Sequence, residues 1–102
     1  MDKEKAIILV KEYAEEVLKN LSPEQIVLFG SYATNTFRET SDIDVAVIFN
    51  GFDGNFWEDS TLLWMLTMKI NTLIEPILLD KIHDQSGFVR HILKTGIIVY
   101  QK

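Results

Sequence analysis

A chain of 102 residues has room for one domain, spanning 1–102, and not for two. Its 47% hydrophobic and 25% charged residues can build a core and argue against disorder, and no apolar run approaches the roughly 18 to 20 residues of a membrane span. A net charge of −5 offers no basic face for stable nucleic-acid binding, and the lack of cysteine excludes disulfides and thiolate-held zinc.

The chain opens on Met1-Asp2-Lys3-Glu4-Lys5, charged with both signs and without a signal-peptide pattern, so a cytoplasmic location is expected. Asp2 to about Leu21 reads as an amphipathic helix. Ala6, Val10, Tyr13 and Val17 form one apolar line, and Ile7, Ala14, Leu18 and Leu21 form the line beside it. Ser22-Pro23 marks its stop. Ile26 to Phe29 is a short apolar run bounded by Gly30, which predicts a buried strand. A short helix is expected from Ser31 onward, and a polar loop from Asn35 to Ser41. Ile43 to Phe49 reads as a second strand, ended by Asn50-Gly51.

Phe56 to Asn71 predicts a helix with two apolar sides. Leu62, Leu63, Leu66 and Ile70 lie on one, and Trp57, Trp64 and Met68 lie roughly opposite. The second side reads equally as core or as a docking surface. Thr72 to Leu79 reads as a third strand, and Pro76 within it favours an edge or a bulge. Ser86 is expected to cap a last helix running to about Thr95, closed by Gly96, and Ile97 to Tyr100 to form a final strand. The alternation of helix and strand gives an α/β (α+β) layered domain.

Two features between Phe29 and Val47 (FGSYATNTFRETSDIDVAV) carry chemistry. Gly30-Ser31 falls between a strand and a helix, where glycine permits close backbone approach and the first helical amides favour anions. Asp42 and Asp44 are two apart at the start of a strand, so their carboxylates project from one face. Carboxylates so close repel, and a divalent cation relieves that repulsion; Mg²⁺ prefers oxygen ligands and phosphate company. His83 and His91 lack the close spacing of a paired metal ligand.

Gly30-Ser31-Tyr32-Ala33 followed by Ser41-Asp42-Ile43-Asp44-Val45-Ala46-Val47 resembles the signature of the minimal nucleotidyltransferase domains of the DNA polymerase β-like superfamily. The resemblance implies a small mixed sheet flanked by helices. It implies that Asp42 and Asp44 bind two Mg²⁺ ions and that Gly30 and Ser31 hold the triphosphate of a nucleoside triphosphate, taken as ATP. A third carboxylate, the general base, is expected from a later strand: Glu75 is the first choice and Asp80 the second. The sequence departs from the pattern at Thr34-Asn35, where Arg-Gly is common. Asn35 can still adopt the left-handed turn, and Arg38 is the candidate replacement for the lost phosphate-facing charge.

The implied reaction is transfer of a nucleoside monophosphate to a hydroxyl, with release of pyrophosphate. Similar minimal members pair, as antitoxins, with small HEPN-type toxins and attach AMP to them. The acceptor is therefore expected to dock from outside or on a second copy, which leaves a homodimer open. Two other readings stand beside this one. A degenerate site would neutralise its partner by contact alone, as the Thr34-Asn35 turn allows, and a regulatory subunit would bind nucleotide without transfer.

Overall fold

The computed structural model describes residues 1–102. Helix α1 (Lys3–Leu18) begins where the Asp2 carboxylate accepts the Lys5 N–H at 2.8 Å, satisfying an amide that has no partner within the helix. Ala6, Val10, Tyr13 and Val17 are fully buried, as their spacing predicts. The helix stops at Leu18, three residues short of the expected end. Leu21 still donates its N–H to the Val17 carbonyl at 2.8 Å and packs on the core, so the apolar rhythm outlasts the helix.

Strand β1 (Gln25–Phe29) leads through Gly30 into the single turn α2 (Ser31–Thr34), and β2 (Ile43–Phe49) has the bounds its apolar run dictates. Helix α3 (Phe56–Thr67) starts on Asn55, whose side chain accepts the Glu58 N–H at 3.0 Å. It ends four residues before Asn71. Met68, Lys69 and Ile70 each bond back three residues, a tighter winding that keeps helical spacing without an α-helix. Strand β3 (Ile74–Asp80) starts later than expected, because the Asn71 side chain captures the Leu73 N–H at 2.8 Å and turns the chain first. A turn of 3₁₀ helix at Lys81–His83 was not foreseen.

Helix α4 (Phe88–Thr95) corrects the reading of Ser86 as its cap. The carboxylate of Asp84 accepts the Val89 and Arg90 N–H groups at 2.8 and 3.0 Å, and Gly87 makes the turn with φ +78°. Ser86 offers only a 3.4 Å contact to the Phe88 N–H. The chain finishes in β4 (Ile97–Gln101).

The strands form one mixed sheet in the order β3-β2-β1-β4. β1 pairs antiparallel with β2 and β4, while β2 and β3 run parallel and are joined through α3. Pro76 sits on β3, an edge strand, where its missing N–H breaks no ladder. Alternation splits each strand between two faces. Ile26, Leu28, Ile43, Val45, Val47 and Ile74 join α1 and α3 in the larger core. Val27, Ala46 and Ile48 meet Val89 and Ile92 of α4 on the other face. The Tyr13 hydroxyl donates to the Leu63 carbonyl at 2.7 Å and locks α1 to α3. No helix is long and apolar enough to cross a membrane.

Candidate active site

The sheet register builds the site. Phe29, Asp44 and Glu75 are successive Cα partners across β1, β2 and β3, so they form one row on the α4 face. Neighbouring strands lie about 4.8 Å apart, which brings the Asp44 and Glu75 side chains together. Asp42, two residues before Asp44, joins them: its charge acts on both, and its carboxyl makes a hydrogen-bonding contact with Glu75.

The electrostatics follow from this crowding. Burial, and then the neighbouring Asp42 charge, raises the proton affinity of Asp44 above the ordinary carboxylate range. Glu75 is raised too, by lost solvent and then by the charges of Asp42 and Asp44 and the contact with Asp42. The side chains do not close by themselves into a three-ligand cage. Their donor set is all oxygen, and a divalent cation relieves the same repulsion that a shared proton relieves, which is the chemistry Mg²⁺ fits.

Gly30 sits over this row. Its φ of +74° and ψ of −147° lie in a region open to glycine, and a Cβ there would overlap the Asp44 carboxylate oxygen. The bare α-carbon thus leaves a cradle beside Asp44. The Gly30 carbonyl accepts the Ala33 and Thr34 N–H groups and the Thr34 hydroxyl, and the Ser31 carbonyl accepts the Thr36 N–H, which winds α2 tightly. Asn35 takes φ +61°, the left-handed turn expected of it. Tyr32 is fully buried and stacks on Phe37 at 4.5 Å, so the turn and the following loop are held to the core.

The remaining expected residues divide. Arg38 is exposed in the loop. Its backbone N–H donates to the Ser41 hydroxyl at 2.7 Å, closing the turn before Asp42, but no ion pair ties its guanidinium to the carboxylates or to Ser31. Asp80, the second choice for a third carboxylate, stands away from the site. It lies five residues beyond Glu75, about 17 Å along the strand, on the opposite face. It accepts the N–H groups of Gly51, Phe52 and Ile82 and contacts the His83 ring. Burial pushes it up, but these donors outweigh burial and bring it down to about 2.

One residue went unread in the sequence. Lys3 donates its ammonium to the Asn35 side chain at 2.9 Å, so a positive charge reaches the turn that lacks its arginine. The two residues are 32 apart in the chain, and no local pattern signals the contact. Neither cavity of the molecule covers the carboxylate row. The larger, about 570 Å³, lies past the far ends of β2 and β3 among Asn50, Lys81 and Arg90. The row is therefore open on the surface, with Phe88 of α4 packed edge-on to Phe29 at its end.

With this geometry in hand, comparison with known proteins is specific. Residues 11–102 match the sequence model of the family described as polymerase beta, nucleotidyltransferase. A protein of Methanocaldococcus jannaschii, provisionally named a protein adenylyltransferase, is 31% identical over 104 residues, covering 98% of this chain and all of that protein. A provisionally named nucleotidyltransferase from Sulfolobus solfataricus superposes with a TM-score of 0.71 at 25% identity, over 98% of this chain and 84% of that one. An MNT antitoxin in complex with the tri-AMPylated HEPN toxin of Shewanella oneidensis shares the fold, with a TM-score of 0.60 at 21% identity over 94% and 73% of the chains.

Proposed function

The chain belongs to the polymerase beta nucleotidyltransferase family, and from that premise we propose that it is a Mg²⁺-dependent enzyme transferring AMP from ATP to a hydroxyl of a partner protein, a HEPN-type toxin. One observation carries the reading: parallel pairing sets Asp44 directly beside Glu75, with the bare α-carbon of Gly30 over the Asp44 carboxylate. The partner follows from the relative called a protein adenylyltransferase and from the MNT antitoxin found with an AMPylated HEPN toxin.

In this proposal Asp42, Asp44 and Glu75 hold two Mg²⁺ ions, which supply charge neutralisation for the triphosphate and the leaving group. Gly30 and Ser31 receive the phosphate chain where no Cβ obstructs it. Lys3 stands beside that turn as its fixed cation, and Arg38 can swing to the same phosphates from its exposed loop. Glu75, set beside Asp44 by the parallel pairing, takes the proton of the acceptor hydroxyl as the general base. The acceptor oxygen then bonds to the α-phosphorus, and the bond to the β-phosphate breaks to release pyrophosphate. The carboxylate row has no cover of its own, so the acceptor protein itself excludes water by docking over it.

The test is an intact-mass measurement of the purified HEPN-type partner after incubation with this chain, Mg²⁺ and ATP. The partner gains AMP with the native chain and stays unmodified with Asp42→Ala or Asp44→Ala. An unmodified partner with all four nucleoside triphosphates, still bound and neutralised, would replace this reading with neutralisation by contact alone. Tight binding of a nucleotide that is returned unaltered would identify a regulatory subunit.

A further inference from the structure

Asn35 is the one residue other than glycine whose φ is positive. It closes α2 at φ +61° and ψ +31°, with its N–H donated to the Ser31 carbonyl. Glycine serves such a helix end with less strain, so what asparagine adds there is its side-chain amide. That amide is in use: its oxygen accepts a hydrogen bond from the Lys3 ammonium at 2.9 Å. The root of Lys3 is fixed as well. Lys3 is the first residue of α1, directly after the Asp2 carboxylate that caps the helix. Met1 packs on the larger core, and its carbonyl accepts the hydroxyl of the buried Tyr32 at 3.4 Å. The start of the chain therefore meets the Gly30 to Asn35 turn at two places, Tyr32 and Asn35.

We propose that Asn35 is a positioning residue: it holds the Lys3 ammonium at the end of α2, where its charge acts on the phosphates of a nucleotide bound at Gly30-Ser31. The inference rests on the reading of that turn as the phosphate site. The charge at the contact is unspent, because Lys3 takes part in no ion pair. An ammonium has three donors, and the bond to Asn35 uses one of them. An amide oxygen fixes the group without cancelling its charge, which a carboxylate at the same place would do. The half-buried Lys3 lays its aliphatic stem along the protein and keeps its head in solvent. Asn35 follows Ser31 by about one helical turn, roughly 6 Å. A charge held on its side chain acts on phosphates at Ser31 over a distance comparable to the Debye length of about 10 Å at 0.1 M salt, so it is felt there and salt weakens it. The chain carries a net charge of −5 and crowds Asp42, Asp44 and Glu75 beside this turn, so a free cation offsets repulsion that the phosphates meet. Lys3 lies outside residues 11–102, so this charge comes from a part of the chain that the family match does not span.

Calorimetric binding of inorganic tripolyphosphate to the full chain, with Mg²⁺ present, reads the phosphate turn without base, ribose or acceptor. Lys3→Met should weaken binding by about 3- to 10-fold at low salt, and Asn35→Gly by about 2- to 5-fold. Both losses shrink as salt is raised. The Lys3→Met/Asn35→Gly double variant binds no more weakly than Lys3→Met, because Asn35 acts only through the ammonium. Asn35→Gly does not lower Tm, since glycine is at ease at φ +61°, and this separates positioning from a structural role. Asn35→Asp weakens binding too, by cancelling the charge it holds. Losses that add in the double variant, that persist unchanged at high salt, or that come with a fall in Tm overturn the proposal. A native chain that binds neither tripolyphosphate nor ATP overturns the phosphate reading of Gly30-Ser31 and this inference with it. A native chain that binds both, with Asn35→Gly binding equally well, overturns this inference alone.

Discussion

Substituting Gly30 by alanine sets two costs against each other's cure. The backbone there, at φ +74° and ψ −147°, costs an alanine on the order of 1–3 kcal/mol. The new Cβ also overlaps the Asp44 carboxylate, and displacing that side chain adds about 1 kcal/mol. Gly30→Ala should therefore lose about 2–4 kcal/mol, seen as a fall in Tm of about 10–20 °C for a domain of this size. The second cost belongs to a pair. In a Gly30→Ala/Asp44→Ala double variant the overlap disappears while the backbone strain stays, so about 1 kcal/mol returns. Urea unfolding of the four proteins in the cycle measures both terms. A Gly30→Ala protein as stable as the native chain, or two substitutions whose costs simply add, would refute the close approach of the Gly30 α-carbon to Asp44.

Other consequences follow from the same geometry. Asp44 binds its proton more readily in the folded chain than in the unfolded one, so its charge costs stability above the folded-state pKa and that cost fades as pH falls through it. Asp44→Asn should stabilise the metal-free protein at pH 7, with an advantage that shrinks as pH falls toward the unfolded value of about 4 and is gone below it in thermal unfolding. Asp80 has the opposite sign: held down to about 2, it contributes stability above its unfolded pKa that is lost as pH falls through about 2. Asp80→Asn should cost about 1–2 kcal/mol and leave the rate of transfer unchanged, as a residue outside the site requires. Lys3→Met should raise KM for ATP by about 3- to 10-fold with little change in kcat, and Lys3→Arg should recover most of the loss; an unaltered KM would leave the phosphates to Arg38 alone.

The strands and the carboxylate pair were legible because their signals are local. Ile43 to Phe49 is an unbroken apolar run closed by Asn50-Gly51, and Asp42-x-Asp44 fixes its own alternation. Helix ends were less legible. Met68 to Ile70 keep an apolar rhythm through a tighter winding, and Leu21 keeps contact with the core after α1 has ended. The cap of α4 comes from Asp84, six residues before Arg90, while the nearer Ser86 has the more familiar cap position. Glu75 came from the family resemblance; its place beside Asp44 depends on parallel pairing, which no local pattern states. The approach of Lys3 to Asn35 is tertiary, set by how α1 lies on the sheet, and no sequence spacing records it.

The central claim is that the Asp42, Asp44 and Glu75 row, with Gly30-Ser31, performs nucleotidyl transfer. It is tested most directly by running the reaction in parallel with ATP labelled at the α- or the γ-phosphate, with Mg²⁺ and the HEPN-type partner. The account predicts that the α label becomes covalently attached to the partner while the γ label leaves as pyrophosphate, and that Asp44→Asn and Glu75→Gln each abolish the attachment. Attachment of the γ label, release of inorganic phosphate in place of pyrophosphate, or full transfer by the Asp44→Asn protein would contradict it.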